Sequence, residues 1–277
     1  MSQRGEHFMN AYRDLLGYGV TVTSRGKRTL EIENYQLKIP PMDYCTSFNA
    51  RRFNLDYARA EWAWYLQANP HARWIERHAS MWPKLHQDGI GYLSNYGQYL
   101  FLPTETLSKQ AITPFEFAAR SLVRDPGTRQ AVIPFLRSEH LYENNPDLVC
   151  TSGVQFRLRE GRLNMTVMMR SNDAIFGMTN DVFCFGQLHM MMHARLSASG
   201  VKAELGDYTH FATSFHVYES FWPMLERLVD EDMNGHSPIR MPPPAHYSDF
   251  AEIIFPLSGS QSPYARWILE PLGKDDA

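Results

Sequence analysis

The chain has only three cysteines, Cys45, Cys150 and Cys184, and no Cys-x-x-Cys pair. That scarcity excludes a disulfide framework and leads us to expect a reducing, cytoplasmic setting. Long apolar runs are also missing, so no segment reads as a membrane span and no membrane partner is expected. The opening MSQRGEHFMNAYRDLLGYG mixes polar and apolar residues, without the apolar core of a secretory signal. Charge of one sign is absent too. A net charge of −3 gives no general attraction to nucleic acid, and any phosphate binding would need a local group of arginines. Repeats and low-complexity stretches are absent. His189 and His193 stand at i, i+4, the spacing that holds a metal on a helix. Between them lie Met190, Met191 and Met192 in place of the glutamate such a motif needs, so core packing is expected and no metal site.

What is present suffices for one large core. With 277 residues and 44% hydrophobic content, the chain is expected to form a single domain over 1–277. The run Pro242-Pro243-Pro244 reads as a loop before a strand-like AEIIFPL. GVTVTSRGKRTLEIENYQLKI reads as two strands around a basic turn, Ser24 to Arg28. FNLDYARAEWAWYLQAN reads as a helix capped by Asn54, with Leu55, Ala58, Trp62, Tyr65 and Leu66 as its apolar stripe. GIGYLSNYGQYLFLP suggests a turn and strand, and PFEFAARSLVRDPGTRQAVIPFLR a helix, a turn and a strand. VCTSGVQFRLREGRLNMTVMMRS suggests two strands around Glu160-Gly161. TNDVFCFGQLHMMMHARLSASG predicts a long helix capped by Thr179 or Asn180 and stopped by Gly200. Strands and helices mix without strict alternation, which predicts an α/β (α+β) sheet protein rather than a Rossmann fold.

A few residues stand out as chemistry. Taken alone, Cys150 reads as a buried structural thiol. Two neighbouring antiparallel strands would bring Arg170 beside it, and a cation there favours the nucleophilic thiolate. Arg170 with Ser171 also suits a phosphate, or a surface ion pair. Glu61 sits one turn from Tyr57, Trp64 and Tyr65, where burial would resist ionisation. Asp181, in the first turn of its helix, is equally explained by the helix dipole. Arg129 and Arg25 each read as solvated charges, unless they converge on one phosphate.

Six segments together carry a resemblance: RAEWAWYL (59–66), SNYGQ (94–98), DPGTRQ (125–130), CTSGVQF (150–156), MRSNDAIFGMTNDVF (169–183) and FHVYES (215–220). In this order they resemble the thymidylate synthases, and more closely the related deoxycytidylate hydroxymethylases. The resemblance implies a mixed β-sheet packed with helices, with a sheet face forming a homodimer interface. It implies Cys150 as the nucleophile at C6 of a pyrimidine, with Glu61 and Tyr96 as catalytic partners. Arg170, Ser171, Arg129 and Arg25 would hold the phosphate, Arg129 from across the dimer. Gln155 and Asp173 would surround the base, and His216 and Tyr218 would bind the sugar hydroxyl. Trp82 would face the co-substrate, 5,10-methylenetetrahydrofolate. In thymidylate synthases the position of Asp181 carries Asn, which pairs with uracil; an acid suits the amino group and bare N3 of cytosine.

The expected reaction is therefore conversion of dCMP to 5-hydroxymethyl-dCMP. CMP hydroxymethylation and dCMP methylation share the same base pocket. A silent nucleotide- or RNA-binding relative would be expected to lack Cys150 or Glu61, and both are present. The ending RWILEPLGKDDA does not match the segment that closes over folate in thymidylate synthases. A less sealed site that admits water is the expectation.

Overall fold

Two tight turns of left-handed residues organise the sheet. Arg25 (φ 49°) with Gly26 (φ 73°), and Glu160 (φ 52°) with Gly161 (φ 72°), form two-residue connections whose twist matches paired strands. They join β1 (Val20–Ser24) to β2 (Lys27–Ile39), and β7 (Thr151–Arg159) to β8 (Arg162–Met169). Both hairpins fall where the sequence predicts them. The computed structural model describes residues 5–105, 109, 111–230, 236–239, 241–244, 246–254 and 262–272.

The remaining strands are β3 (Thr46–Phe48), β4 (Thr104–Glu105), β5 (Ala111–Ile112), β6 (Val132–Pro134), β9 (Asn172–Asp173), β10 (Glu204–Tyr218) and β11 (His236–Pro238). The main sheet runs β1-β2-β10-β8-β7-β6, with β9 beside β10. β10 runs parallel to β8 and β9 and antiparallel to β2, so the sheet is mixed, as expected. Along β8, Leu163, Met165, Val167 and Met169 alternate inward, and Val154, Phe156 and Leu158 do the same on β7. Each such side chain contributes roughly 1.5–3 kcal/mol on burial.

Helices α1 (Glu6–Tyr18), α2 (Leu55–Gln67), α3 (Gly97–Phe101), α4 (Pro114–Arg124), α5 (Gly177–Ala198), α6 (Trp222–Asp230), α7 (Ser248–Ile254) and α8 (Pro263–Leu269) pack around this sheet. Asn54 caps α2 as predicted, its side chain accepting from the Tyr57 N–H at 3.1 Å. The helix is buried all round from Ala58 to Leu66, not along one stripe, because it lies between α5, α7 and α8. α5 ends as predicted: Gly200 (φ 82°) lets its own N–H and that of Val201 return to Ser197 and Leu196. No helix among the described residues is long and apolar enough to cross a membrane.

Three local expectations are corrected. The tyrosine-rich stretch after SNY forms α3, not a strand. Gln98 donates to the carbonyls of Tyr92 and Asn95, which winds the chain there and overrides the aromatic strand preference. AEIIFPL is not a strand where it is described: Ser248–Ile254 is α7, with Phe250 and Ile253 buried at helical spacing. Its residues 255–257 lie outside the described residues, as do 273–277 of the unmatched ending. Finally, α5 starts at Gly177, and neither Thr179 nor Asn180 caps it. Thr179 accepts from Arg51 at 2.7 Å, and Asn180 turns to Glu61. Asp181 is thus one turn further into the helix than the sequence suggests, which removes the dipole explanation for it.

Gly97 fixes how α3 meets α2. A Cβ there would lie 1.6 Å from the Tyr65 carbonyl oxygen. Gly97→Ala should therefore cost about 3 kcal/mol. A denaturant midpoint lowered at constant slope would show it, and an unchanged midpoint would mean that α3 moves freely.

Candidate active site

α2, the loop before β7 and the start of α5 meet at a cavity of ≈ 350 Å³. Glu61, Trp82, Tyr96, Cys150, Ser171, Asp173, Asp181, His216 and Tyr218 all line it. The sequence scatters these residues over 158 positions (218 − 61 + 1); the fold brings them to one place.

Glu61 is buried in the middle of α2. Tyr65 donates to its Oε1 at 2.9 Å, and Asn180 and the Cys184 thiol (3.9 Å) donate to Oε2. The Tyr57 hydroxyl adds a further hydrogen bond. These donors favour the carboxylate, but burial outweighs them and holds Glu61 above the usual carboxylate range. The expectation of a carboxylate that resists ionisation is met, and its partners include side chains from α5 that periodicity does not reveal.

Asp181 reaches the same cavity from α5. Burial, with Glu61 close by, pushes its carboxyl well above the ordinary range. Its Oδ2 accepts from Asn172 Nδ2 at 2.7 Å. Gly177 packs closely against this pair: a Cβ there would stand 3.5 Å from Asp181 Oδ2 and 3.3 Å from Asn172 Nδ2. Asp173 is structural as well as cavity-lining. Its Oδ1 accepts from the backbone of Ile175 at 2.7 Å and Phe176 at 3.3 Å, which shapes the turn into α5.

Cys150 precedes β7 and is half-buried. The β7–β8 pairing brings Arg170 to it, as predicted: Nη2 lies 3.8 Å from Sγ, and the Arg170 N–H donates to the Cys150 carbonyl at 2.8 Å. The expected lowering of the thiol is only partial. Arg170 does favour the thiolate, but burial is larger and Asp181 opposes it, so the thiol sits above its ordinary value. The guanidinium also grips the Val149 and Leu148 carbonyls, at 2.9 and 2.6 Å. Tyr96 stacks between Phe135 and Phe185, and its hydroxyl accepts from the Thr151 N–H at 3.3 Å. Asp147 pins Ser94 beside the same loop, and burial raises it to about 6.

Ser171, His216 and Tyr218 open into a second, polar cavity of ≈ 360 Å³ that also contains Arg25, Lys27, Glu31 and Ser214. Ser214 donates to Glu31 at 2.5 Å and contacts His216 Nδ1 at 3.3 Å. With the Ser214 proton directed to Glu31, the Ser214 oxygen is free to accept from His216 Nδ1.

Three predicted site residues line neither cavity; Arg170 stands beside Cys150 with its guanidinium on the Leu148 and Val149 carbonyls. Arg129 lines a separate groove with Arg159 and Lys202, and Gln155 donates to the Arg129 carbonyl at 2.9 Å; neither lines the two cavities of its own chain. Trp82 lines the main cavity with Met81 and Phe176, its buried Nε1 lacking a partner among the described residues. His189 bonds to Tyr44 and the Leu163 carbonyl, and His193 to the Ala203 carbonyl, so both imidazoles serve the core. Among the described residues no group of three or more His, Cys, Asp or Glu side chains could hold a metal. Sequence reasoning missed Asn172, Asn180, Glu31 and Ser214. Asn172 was legible only as a neighbour of Arg170 and Ser171.

The thiol and the buried acid can each be tested by titration. Alkylation of Cys150 should rise with pH about a midpoint above the ordinary thiol range. Arg170→Gln should slow it by roughly tenfold at mildly alkaline pH, and an unchanged rate would remove the cation from its role. Asp181, with its folded value above the unfolded one, leaves stability untouched in acid, where both states are protonated. Folding is then disfavoured as pH rises, because the unfolded chain ionises first. Asp181→Asn should therefore stabilise the protein at neutral pH by on the order of 1–3 kcal/mol, with the gain closing toward roughly pH 4. Melting curves across pH test this, and a pH-independent difference would contradict it.

A family model described as thymidylate synthase matches residues 6–255. Among curated relatives, the chain is 25% identical over 218 residues to the deoxyuridylate hydroxymethyltransferase of Bacillus phage SP01, covering 76% of this chain and 56% of that protein. It is 24% identical over 197 residues to the deoxycytidylate 5-hydroxymethyltransferase of Enterobacteria phage T2, covering 66% of this chain and 78% of that one. A thymidylate synthase of Bacillus mojavensis is 23% identical over 157 residues, 57% of this chain and 54% of that protein. The match runs through every element that builds the cavity, and the chain belongs to the thymidylate synthase family.

Proposed function

We propose that this protein is a dCMP 5-hydroxymethyltransferase that uses 5,10-methylenetetrahydrofolate. The observation that carries the reading is Asp181, a buried carboxyl disposed to hold a proton, in one cavity with the Cys150 thiol. Cytosine offers an amino group and an unprotonated N3. A neutral carboxyl complements both: one oxygen accepts from the amino group while the other gives its proton to N3.

Protonation at N3 withdraws electrons from C6, where the Cys150 thiolate adds. The electron pair displaced from the C5–C6 bond makes C5 the nucleophile. The folate, when bound, supplies the one-carbon unit; Trp82, Met81 and Phe176 offer an apolar wall for its ring. Glu61, with its raised carboxyl and hydroxyl neighbours, suits proton transfer and water placement. Loss of the C5 proton as the folate amine departs, addition of water to the methylene so formed, and release of the Cys150 thiolate from C6 restore the aromatic ring. Addition of water in place of hydride distinguishes the hydroxymethyl from the methyl product.

His216 and Tyr218 would bind the sugar hydroxyl, and Arg170, Ser171 and Arg25 the phosphate. Arg129, outside its own chain's cavities, would reach the site of a second copy in a homodimer. The SP01 relative is named for deoxyuridylate. A uracil presents O4 and N3–H instead; with Oδ2 accepting from Asn172 and the proton on Oδ1, Asp181 would set acceptor against acceptor and donor against donor.

The test is the mass of the products from dCMP, CMP and dUMP, each with 5,10-methylenetetrahydrofolate. A hydroxymethyl gain on dCMP is expected, abolished in Cys150→Ala. A methyl gain would overturn the water step, turnover of CMP the sugar assignment, and preference for dUMP the role of Asp181. Asp181→Asn should shift preference toward uracil.

A further inference from the structure

Behind Asp181 lies a buried polar chain whose first member, Asn172, touches the cavity and whose further members, His210 and Tyr208, do not line it. Asn172 donates from Nδ2 to Asp181 Oδ2 at 2.7 Å, and its Oδ1 lies 3.0 Å from His210 Nε2. His210 Nδ1 lies 2.7 Å from the Tyr208 hydroxyl. Tyr208 and His210 sit at i, i+2 on the inner face of β10, both fully buried. If Asp181 is the carboxyl that recognises the base, the groups behind it govern where its proton resides. Resting on that reading of Asp181, we propose that Tyr208 and His210 set the base preference of this site by fixing which end of the Asn172 amide meets the carboxyl.

The direction of the chain is set by its protons. Tyr208 has one hydroxyl proton and, among the described residues, one hydrogen-bond partner, His210 Nδ1. Its aromatic neighbour Tyr44 directs its own hydroxyl to His189. Burial holds His210 down at about 3, so the ring is neutral and carries one proton. If Tyr208 donates to Nδ1, that proton is on Nε2 and is donated to Asn172 Oδ1. The amide then turns its NH2 to Asp181.

The opposite polarity satisfies each bond taken singly. Asp181 would donate to Asn172 Oδ1, Asn172 to Nε2, and Nδ1–H to Tyr208. It leaves the phenolic proton buried without an acceptor, and that is what Tyr208 forbids.

The two polarities present different faces to a base. In the observed one, Asp181 Oδ2 is an acceptor, so a carboxyl proton resides on Oδ1 and is available to N3 of cytosine. Oδ2 keeps a lone pair for the amino group. In the reversed one the carboxyl proton is consumed within the protein, and Asp181 becomes an acceptor toward the base. That arrangement repels the bare N3 of cytosine and welcomes the N3–H of uracil. A phenol two hydrogen-bonded groups from Asp181 would thus decide between two pyrimidines.

The experiment compares kcat/KM for dCMP and dUMP in the full-length protein, read as release of the C5 proton. The wild type should favour dCMP. Tyr208→Phe should lower the dCMP:dUMP ratio by about tenfold, and His210→Phe by a similar factor. His210→Gln, which keeps an N–H at the reach of Nε2, should retain more of the preference. A merely structural role would reduce both rates together, so an unchanged ratio in Tyr208→Phe overturns the proposal. The His210 tautomer in the wild-type protein, read from long-range ¹⁵N–¹H spectra, decides the matter independently of whether the variants fold. Nε2–H is expected, and Nδ1–H overturns the proposal even if dCMP is the preferred substrate. A wild type that prefers dUMP would instead remove the premise, the reading of Asp181 itself.

Discussion

Glu61 and Asp181 enter the same cavity from two helices, and burial resists ionisation of both. Much of the surrounding architecture serves this arrangement. α2 is enclosed from Ala58 to Leu66, so Glu61 faces only the cavity and is surrounded by neutral donors: two tyrosines, an amide and a thiol. Asp181 receives one amide and has Gly177 packed closely against it. Neutral donors can accommodate either protonation state, whereas an arginine or lysine would lock the carboxylate form. The site therefore holds acids that remain able to give and take protons, at a cost in stability that the large aromatic core around Trp62, Trp64 and Trp82 offsets.

The thiol is treated differently. Arg170 is the main cation acting on it, with a smaller contribution from Arg25, yet most of the hydrogen bonding of Arg170 is to the carbonyls of Leu148 and Val149. It anchors the loop that presents Cys150 as much as it biases the thiol. Burial first, then the nearby acids, favour the protonated form of Cys150. A resting thiol is protected from oxidation and stray electrophiles, and its activation is tied to whatever changes the field around it.

Much of this was legible in the sequence because it depends on local pattern. The two hairpins were announced by Arg25-Gly26 and Glu160-Gly161, α2 by Asn54, and the end of α5 by Gly200. The site residues were legible through motifs that each occupy a few consecutive positions. What escaped was set by contacts between distant segments. α3 and α7 looked like strands because side-chain composition suggested it, while Gln98 and the packing of Phe250 and Ile253 decided otherwise. Asn180 looked like a helix cap; only the proximity of α2 makes it a partner of Glu61. Tyr208 and His210 carried no signal at all, since an apolar-and-polar alternation in a strand is what any half-buried strand shows.

β10 is a single strand of fifteen residues. One end bears Tyr208 and His210 behind Asn172 and Asp181, and the other bears Ser214, His216 and Tyr218 at the polar cavity. On the proposed reading, the groups for the two halves of a nucleotide are mounted on one continuous rail, hydrogen-bonded to β2 along one edge and to β8 and β9 along the other. A one-residue slip or insertion in that rail would turn both sets of side chains to the wrong face together. Diversification of such a site has to proceed by exchanging side chains in place. Base preference and sugar preference can then change one residue at a time, but the spacing between them is a fixed property of the sheet.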